Sequence, residues 1–292
     1  MNNKKQQHYV WKHYLTPWLT DDKLWCYREG KVFFGSRDNI AQQRFFYEVE
    51  QLNDFENSIV KGFIEKRHPS SHLASYSTWN LFQFASTGNE HQRRNEIEEY
   101  HTRIEHSVIP IMEKLLNGDT SWLNNTDDKV KFSRFLGVQY SRTNKGLQNL
   151  SETFELLEDK FPQYKGKYDS KKISKVFSLL MGDFIGNWID SSGQFALLKN
   201  STELNFITSD QPVYNLGASE AVDDDDITSM ELYYPLSPEL ALLITSEPQK
   251  DKALSVEEID KYNKFILSTS HEQVYAKNKD TLKYYGLGEK VC

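Results

Sequence analysis

Cysteine is nearly absent: two in 292 residues, Cys26 and Cys292. That count excludes a disulfide framework, and the ligand spacing of a zinc finger or ribbon is missing too. A reducing, cytoplasmic setting is the expectation. No run of about 18 apolar residues occurs, so no membrane span is expected. The polar residues 1–10 are not followed by the apolar stretch of a secretory signal. There is no glycine-rich phosphate loop and no Gly-x-Ser-x-Gly elbow, which leaves Rossmann, P-loop and serine-hydrolase chemistry without a motif. Excess positive charge is also lacking. The formal net charge is −7, which argues against broad, non-specific binding to duplex nucleic acid. No period of 20–50 residues repeats.

What is present is aromatic. Seventeen Phe, 16 Tyr and 6 Trp offset a hydrophobic share of only 38%, because each ring buries a large area. The pattern along the chain predicts an α+β fold in three stretches of a single interlocked domain. Residues 8–40 form a small β element, with a hairpin around Glu29-Gly30. Residues 41–190 are helical. Apolar residues at 45, 49, 52, 55, 59 and 63 predict one helix over 45–66. Further helices are expected over 73–86, 90–116, 129–142, 152–160 and 171–189, with Pro110 inside the long one. Residues 194–276 are β-rich. They carry strands over 194–199, 204–208, 231–234, 240–245 and 273–276, and one late helix over 255–269 that opens on the capping box Ser255-x-x-Glu258. The four aspartates 223–226 read as a solvated loop. Segregation of strands from helices, without βαβ alternation, is the basis for the α+β class.

Four groups of residues have the composition of a site. The first is Thr208-Ser209-Asp210, at the end of an apolar strand, where a carboxylate can hold a metal or act as a base. The plainer alternative is a turn before Pro212. The second is Gln139 with Arg142, three residues apart and so on one helix face, with donors suited to phosphate or carboxylate. A helix-end salt bridge is the alternative. The third is Arg94 with Asn95 and His101, two helical turns apart, which resembles the signature of metal-independent RNases of the all-helical HEPN type. The fourth is the pair Glu65-x-x-His68 and Glu98-x-x-His101, the spacing of di-iron bundles, which a Glu-rich chain also produces by chance.

Several motifs occur together in one order: His8-Tyr-Val with Tyr14-Leu15, Phe45-Phe46-Tyr47, Gln139-x-x-Arg142-Thr143, Phe206-Ile-Thr-Ser-Asp-x-Pro-Val213 and Pro235-Leu-Ser-Pro238. In this the chain resembles a widespread, mostly bacterial family of uncharacterised proteins, a domain of unknown function. Trp11 and Gln211 stand where that family carries Pro and Asn. The resemblance implies that His8, Glu50, Glu56, Glu105, Gln139, Arg142, Asp210 and Asn263 are its polar signature positions. It supplies no reaction.

Convergence of these residues on one pocket would make a hydrolase acting on a phosphodiester or another nucleotide-derived substrate. Asp210 with Glu50, Glu56 and Glu105 would hold a divalent metal, Mg or Mn. His8 would move protons, and Arg142 with Gln139 would stabilise charge. Thr208, Ser209 and Asn263 would bind substrate. RNA, DNA or a nucleotide would be the partner, in a bacterial toxin or phage-defence setting. One alternative is a non-enzymatic binding or regulatory protein with a buried polar network, and a protein partner or a second copy of itself. The other is the metal-free RNase built on Arg94 and His101.

Overall fold

A computed structural model of the chain describes residues 5–217 and 230–288. The aspartates 223–226 lie outside the described residues. In chain order the elements are β1 (Gln6–His8), β2 (Lys23–Arg28), β3 (Lys31–Ser36), β4 (Gln42–Arg44), α1 (Asp54–Glu65), α2 (His72–Thr87), α3 (Glu90–Leu116), α4 (Thr126–Ser141), α5 (Asn144–Lys160) and α6 (Ser170–Ser192). They continue with β5 (Gln194–Asn200), β6 (Thr208–Ser209), β7 (Tyr214–Asn215), β8 (Leu232–Ser237), β9 (Leu240–Thr245), β10 (Lys252–Leu254), α7 (Val256–Thr269), β11 (Gln273–Ala276) and α8 (Lys279–Tyr284). The fold is α+β. Two compact units are drawn from alternating stretches of chain.

The first unit comprises Met1–Tyr9, Gln43–Ile109 and Thr126–Trp188 and is mainly helical. The expected helix over 45–66 is shorter than its apolar spacing suggests. It begins only at Asp54, where Asn53 accepts from the Glu56 N–H and Glu56 in return accepts from the Asn53 N–H. That reciprocal cap satisfies N–H groups that the first turn cannot pair internally. Phe45 itself sits at φ +49, a left-handed conformation that no helix interior tolerates. Helix α3 continues through Pro110. Helices α4 and α6 approach backbone to backbone. A Cβ on Gly137 would lie 2.2 Å from the Gly182 carbonyl oxygen, so only glycine allows this crossing. Residues 5–7 belong to the structure, although the polar N-terminus reads as frayed. β1 pairs with β4, and Gln7 is fully buried.

The second unit comprises Val10–Gln42, Pro110–Asn125 and Ile189–Cys292 and contains two sheets. One has the order β10-β5-β9-β8-β7, the other β3-β2-β11-β6. The hairpin turn between β2 and β3 places Glu29 at φ 51 and Gly30 at φ 76, the pair of positive values that a two-residue hairpin favours. Every residue of β8 and β9 is buried, so both strands read as continuous apolar runs. Pro235 is accommodated inside β8 by a register shift between Pro235 and Ser237, which removes the need for its missing N–H. One apolar core spans both sheets, α7 and α8, from Leu198, Phe206 and Tyr233 to Ile259, Val274 and Leu282.

Candidate functional site

In the helical unit, α4 ends at Ser141 and delivers Arg142 to the interior, 2% exposed. Its Nη2 donates to Glu105 Oε1 at 2.5 Å and to Gln139 Oε1 at 2.8 Å. Gln139 is itself anchored, because its Nε2 donates to the Tyr9 carbonyl at 3.1 Å. The guanidinium is thereby held at Nη2 by two residues, and the sequence spacing of Gln139 and Arg142 is a true pairing. Arg142 Nε is buried without a partner among the described residues.

Beside it stands His101 of α3, 2% exposed. Its ring meets the edge of Tyr47 at 4.5 Å, and neither ring nitrogen has a hydrogen-bond partner among the described residues. Burial, and then the Arg142 charge, push its pKa well below the ordinary histidine value. The imidazole is therefore neutral near pH 7. Lys175 of α6 donates from Nζ to the Glu48 carbonyl, and burial lowers its pKa against the pull of Glu48 and Glu50. Ser178, one turn on, ties α6 to the end of α4 by donating to the Ser141 carbonyl at 2.8 Å.

These groups border one partly enclosed pocket, walled by Phe46, Tyr47, Val49, Ile97, Leu147 and Leu179, with His101, Arg142, Lys175 and Ser178 as its polar members. The space open to atom centres in it is about 20 Å³. A roughly spherical cavity with that much room is on the order of 3 Å in radius, the size of one small oxyanion and too small for a base with its sugar. An apolar wall with a few convergent polar groups is the usual make-up of a ligand site.

The other expected residues have other work. Glu56 is fully buried. Its Oε2 takes the Asn53 N–H at 2.7 Å and Lys172 Nζ at 2.7 Å, and its Oε1 takes the Asp169 N–H at 2.9 Å. Glu50 is exposed. His8 is half-buried in β1 and receives the Tyr47 hydroxyl on its carbonyl at 3.1 Å. Arg94 turns to Glu48, at 2.9 Å, and to Glu90, and lies over the Phe45 ring. In the Arg94–His101 pairing, the arginine is thus engaged with carboxylates, and the cation that acts on His101 is Arg142. Glu65 faces Lys61, and His68 bonds Ser70 at the surface.

In the second unit, Asp210 is 1% exposed. It accepts the backbone N–H groups of His271, Glu272 and Gln273 at 3.0, 2.8 and 3.1 Å. Burial pushes its carboxyl above the ordinary aspartate value, and these donors pull the other way. Thr208 shares a hydrogen bond with Tyr14 at 2.7 Å, and Ser209 with Tyr214 at 2.5 Å. Asn263 clamps the strand approach by accepting from Ile207 N–H and donating to the Asn205 carbonyl. The oxygens of Glu56 and Asp210 meet N–H or ammonium donors, and Glu105 meets a guanidinium, so these carboxylates do not fit the ligand set of a divalent cation. Among the described residues no group of three or more His, Cys, Asp or Glu is placed to share a metal ion.

A family model described as protein of unknown function (DUF4238) matches residues 6–280. The chain belongs to that family. No curated protein and no solved structure matches it. For this DUF4238 member no helix is long and apolar enough to cross a membrane among the described residues. Within it, the polar pocket residues that the sequence expectations leave out are Lys175 and Ser178. A lysine on a helix reads as a solvated face, and the signal that could have found it is its position three and four residues before Ser178 and Leu179, on the face turned to the pocket.

Proposed function

We propose that the protein is a hydrolase acting on a phosphodiester or another nucleotide-derived substrate, with the pocket of the helical unit as its reacting centre. The observation that carries this reading is the imidazole of His101, buried at the pocket with both nitrogens unpartnered. An unsatisfied buried polar group costs about 1–3 kcal/mol, and no hydrogen bond among the described residues offsets it here. Arg142 and Lys175 would hold phosphoryl oxygens, and His101, protonated once the anion is bound, would give its proton to the leaving ester oxygen as a water oxygen bonds phosphorus. The proton of that water would pass to solvent. RNA, DNA or a nucleotide is the partner class, and a bacterial defence or toxin setting belongs to the same proposal.

The test compares wild type with His101→Gln for hydrolysis of nucleotides and of bis(p-nitrophenyl) phosphate, with and without EDTA. Release by wild type and loss of at least about a hundredfold in a folded variant are expected. Equal rates, or none, would remove the reading. Loss in EDTA would show that a divalent metal takes part.

A second reading is a non-enzymatic binding protein with a buried polar network. It is supported by Asp210, Asn263 and Glu56, whose side chains all hold backbone N–H groups from distant parts of the chain. Under this reading Asp210→Ala alters stability and leaves no activity to lose.

A further inference from the structure

The pocket's size, donor geometry and neutral imidazole together specify a ligand more narrowly than a phosphoester. We propose that it takes the terminal phosphate of a phosphomonoester, and that His101 takes up one proton from solution when the phosphate binds. This rests on the reading above for its location and not for its chemistry.

Three donors come from three segments of chain: His101 from α3, Arg142 from the end of α4 and Lys175 from α6. Donors that approach from separate elements suit the three free oxygens of a tetrahedral phosphate better than the two coplanar oxygens of a carboxylate. A cavity on the order of 3 Å in radius admits one such head group. A diester would need two exits for its ester oxygens, and the pocket is partly enclosed. Arg142 Nε and both nitrogens of His101 have no partner among the described residues to give up, so an entering oxyanion displaces no protein hydrogen bond from them.

The proton follows from the charges that face the ring. On its own helix these are Glu98, which acts on Arg142 and Tyr47, and Glu105, which is paired with Arg142. Tyr100, adjacent in α3, and Tyr47, from the segment before α1, are both kept as neutral phenols by burial. From α4 comes the Arg142 guanidinium, and from α6 the Lys175 ammonium, with Glu48 and Glu50 acting on that lysine. The charge that acts on the imidazole is thus the Arg142 cation, which adds to burial, and the ring stays neutral in the free protein. A phosphate dianion reverses that field. A protonated ring can then donate to it, which a neutral ring can do from one nitrogen only.

Isothermal titration calorimetry tests this on the intact chain. The probes are inorganic phosphate, phenyl phosphate, diphenyl phosphate, acetate and sulfate. Sulfate is tetrahedral and carries no proton of its own near neutral pH, so any proton taken up with it goes to the protein. Each titration is run at pH 7 in two buffers of different ionisation heat. Sulfate and phenyl phosphate are expected to bind, and diphenyl phosphate and acetate at least about tenfold more weakly, a difference of roughly 1.4 kcal/mol. The sulfate heat should differ between buffers by the equivalent of one proton per site, and sulfate affinity should fall up to about tenfold per pH unit above neutrality. His101→Gln should bind sulfate without the buffer difference. The wild-type buffer comparison needs no variant, so misfolding of that variant does not protect the proposal. Binding with no buffer dependence would overturn the proton uptake. Equal affinity for acetate or for the diester would overturn the ligand class. No heat with any tetrahedral probe, in a protein that hydrolyses diesters, would overturn this inference and leave the hydrolase reading standing.

Discussion

Each unit buries a polar centre, and the two are treated in opposite ways. At Asp210 in the sheet-rich unit, three backbone N–H groups converge on one carboxylate and saturate it. At Arg142 and His101 in the helical unit, an ion pair holds one nitrogen of the guanidinium, while its Nε and both imidazole nitrogens have no partner among the described residues, in side chains that border a cavity. The sequence marks each centre by polar residues that could belong to a site. A buried ionisable group is informative by what it leaves unsatisfied. A closed network explains itself as structure, whereas an open one calls for a ligand.

Four measurements test that contrast. Asp210→Ala should have the largest effect. It leaves three N–H groups without their acceptor, that of Gln273 buried, and should cost roughly 3 kcal/mol, read from urea unfolding, while the folded fraction keeps its sulfate affinity. A loss of sulfate binding without a loss of stability would make Asp210 a ligand group and erase the distinction. Gly137→Ala should match it. Its methyl would press on the Gly182 carbonyl at 2.2 Å and should cost about 3 kcal/mol by overpacking, seen as a lower urea midpoint. Arg142→Met should destabilise by roughly 2 kcal/mol, because Glu105 loses its partner, and should weaken sulfate binding at least about tenfold by calorimetry. The smallest effect is on pH dependence. The folded-state pKa of His101 is depressed, so protons favour the unfolded chain. The stability that its neutral form contributes is complete above the ordinary value of about 6.5 and is lost as pH falls below it, by at most about 1.4 kcal/mol per unit. His101→Leu should flatten that part of the stability–pH curve between pH 6.5 and 5. An unchanged slope would mean that the ring is charged or solvated in the free protein.

Much of the fold was legible because its signals are local. The Glu29-Gly30 turn and the Ser255-x-x-Glu258 cap report on neighbours a few residues apart, and a helix is expected at each of α2 to α6, although the one over 152–160 begins earlier, at Asn144. Where the reading over 45–66 ran long, an apolar period continued by chance across Phe45 to Leu52, and the overlooked signal was the second capping box, Asn53-x-x-Glu56. The site was legible only in part, for the same reason. Gln139 and Arg142 lie three apart on one helix, so their pairing could be read directly. Asp210 binds residues 61 to 63 positions further on, and Glu56 binds Asp169 across 113. No local pattern records such partners, so a structural carboxylate and a catalytic one look alike in sequence. Lys175 was hidden by the rule that helical lysines face water, which holds until a helix is covered on that side.

The pairing of β2 with β11 has a consequence for synthesis. Strand β11 sits between β2 and β6 in its sheet, and its residues Gln273–Ala276 face Arg28 to Trp25. A ribosome adding about 5–20 residues per second therefore exposes the hairpin on the order of 10–50 seconds before its neighbour emerges. Through that interval one edge of β2 has no strand to meet, and it is the natural place for a chaperone to hold the nascent chain or for two growing chains to pair by mistake.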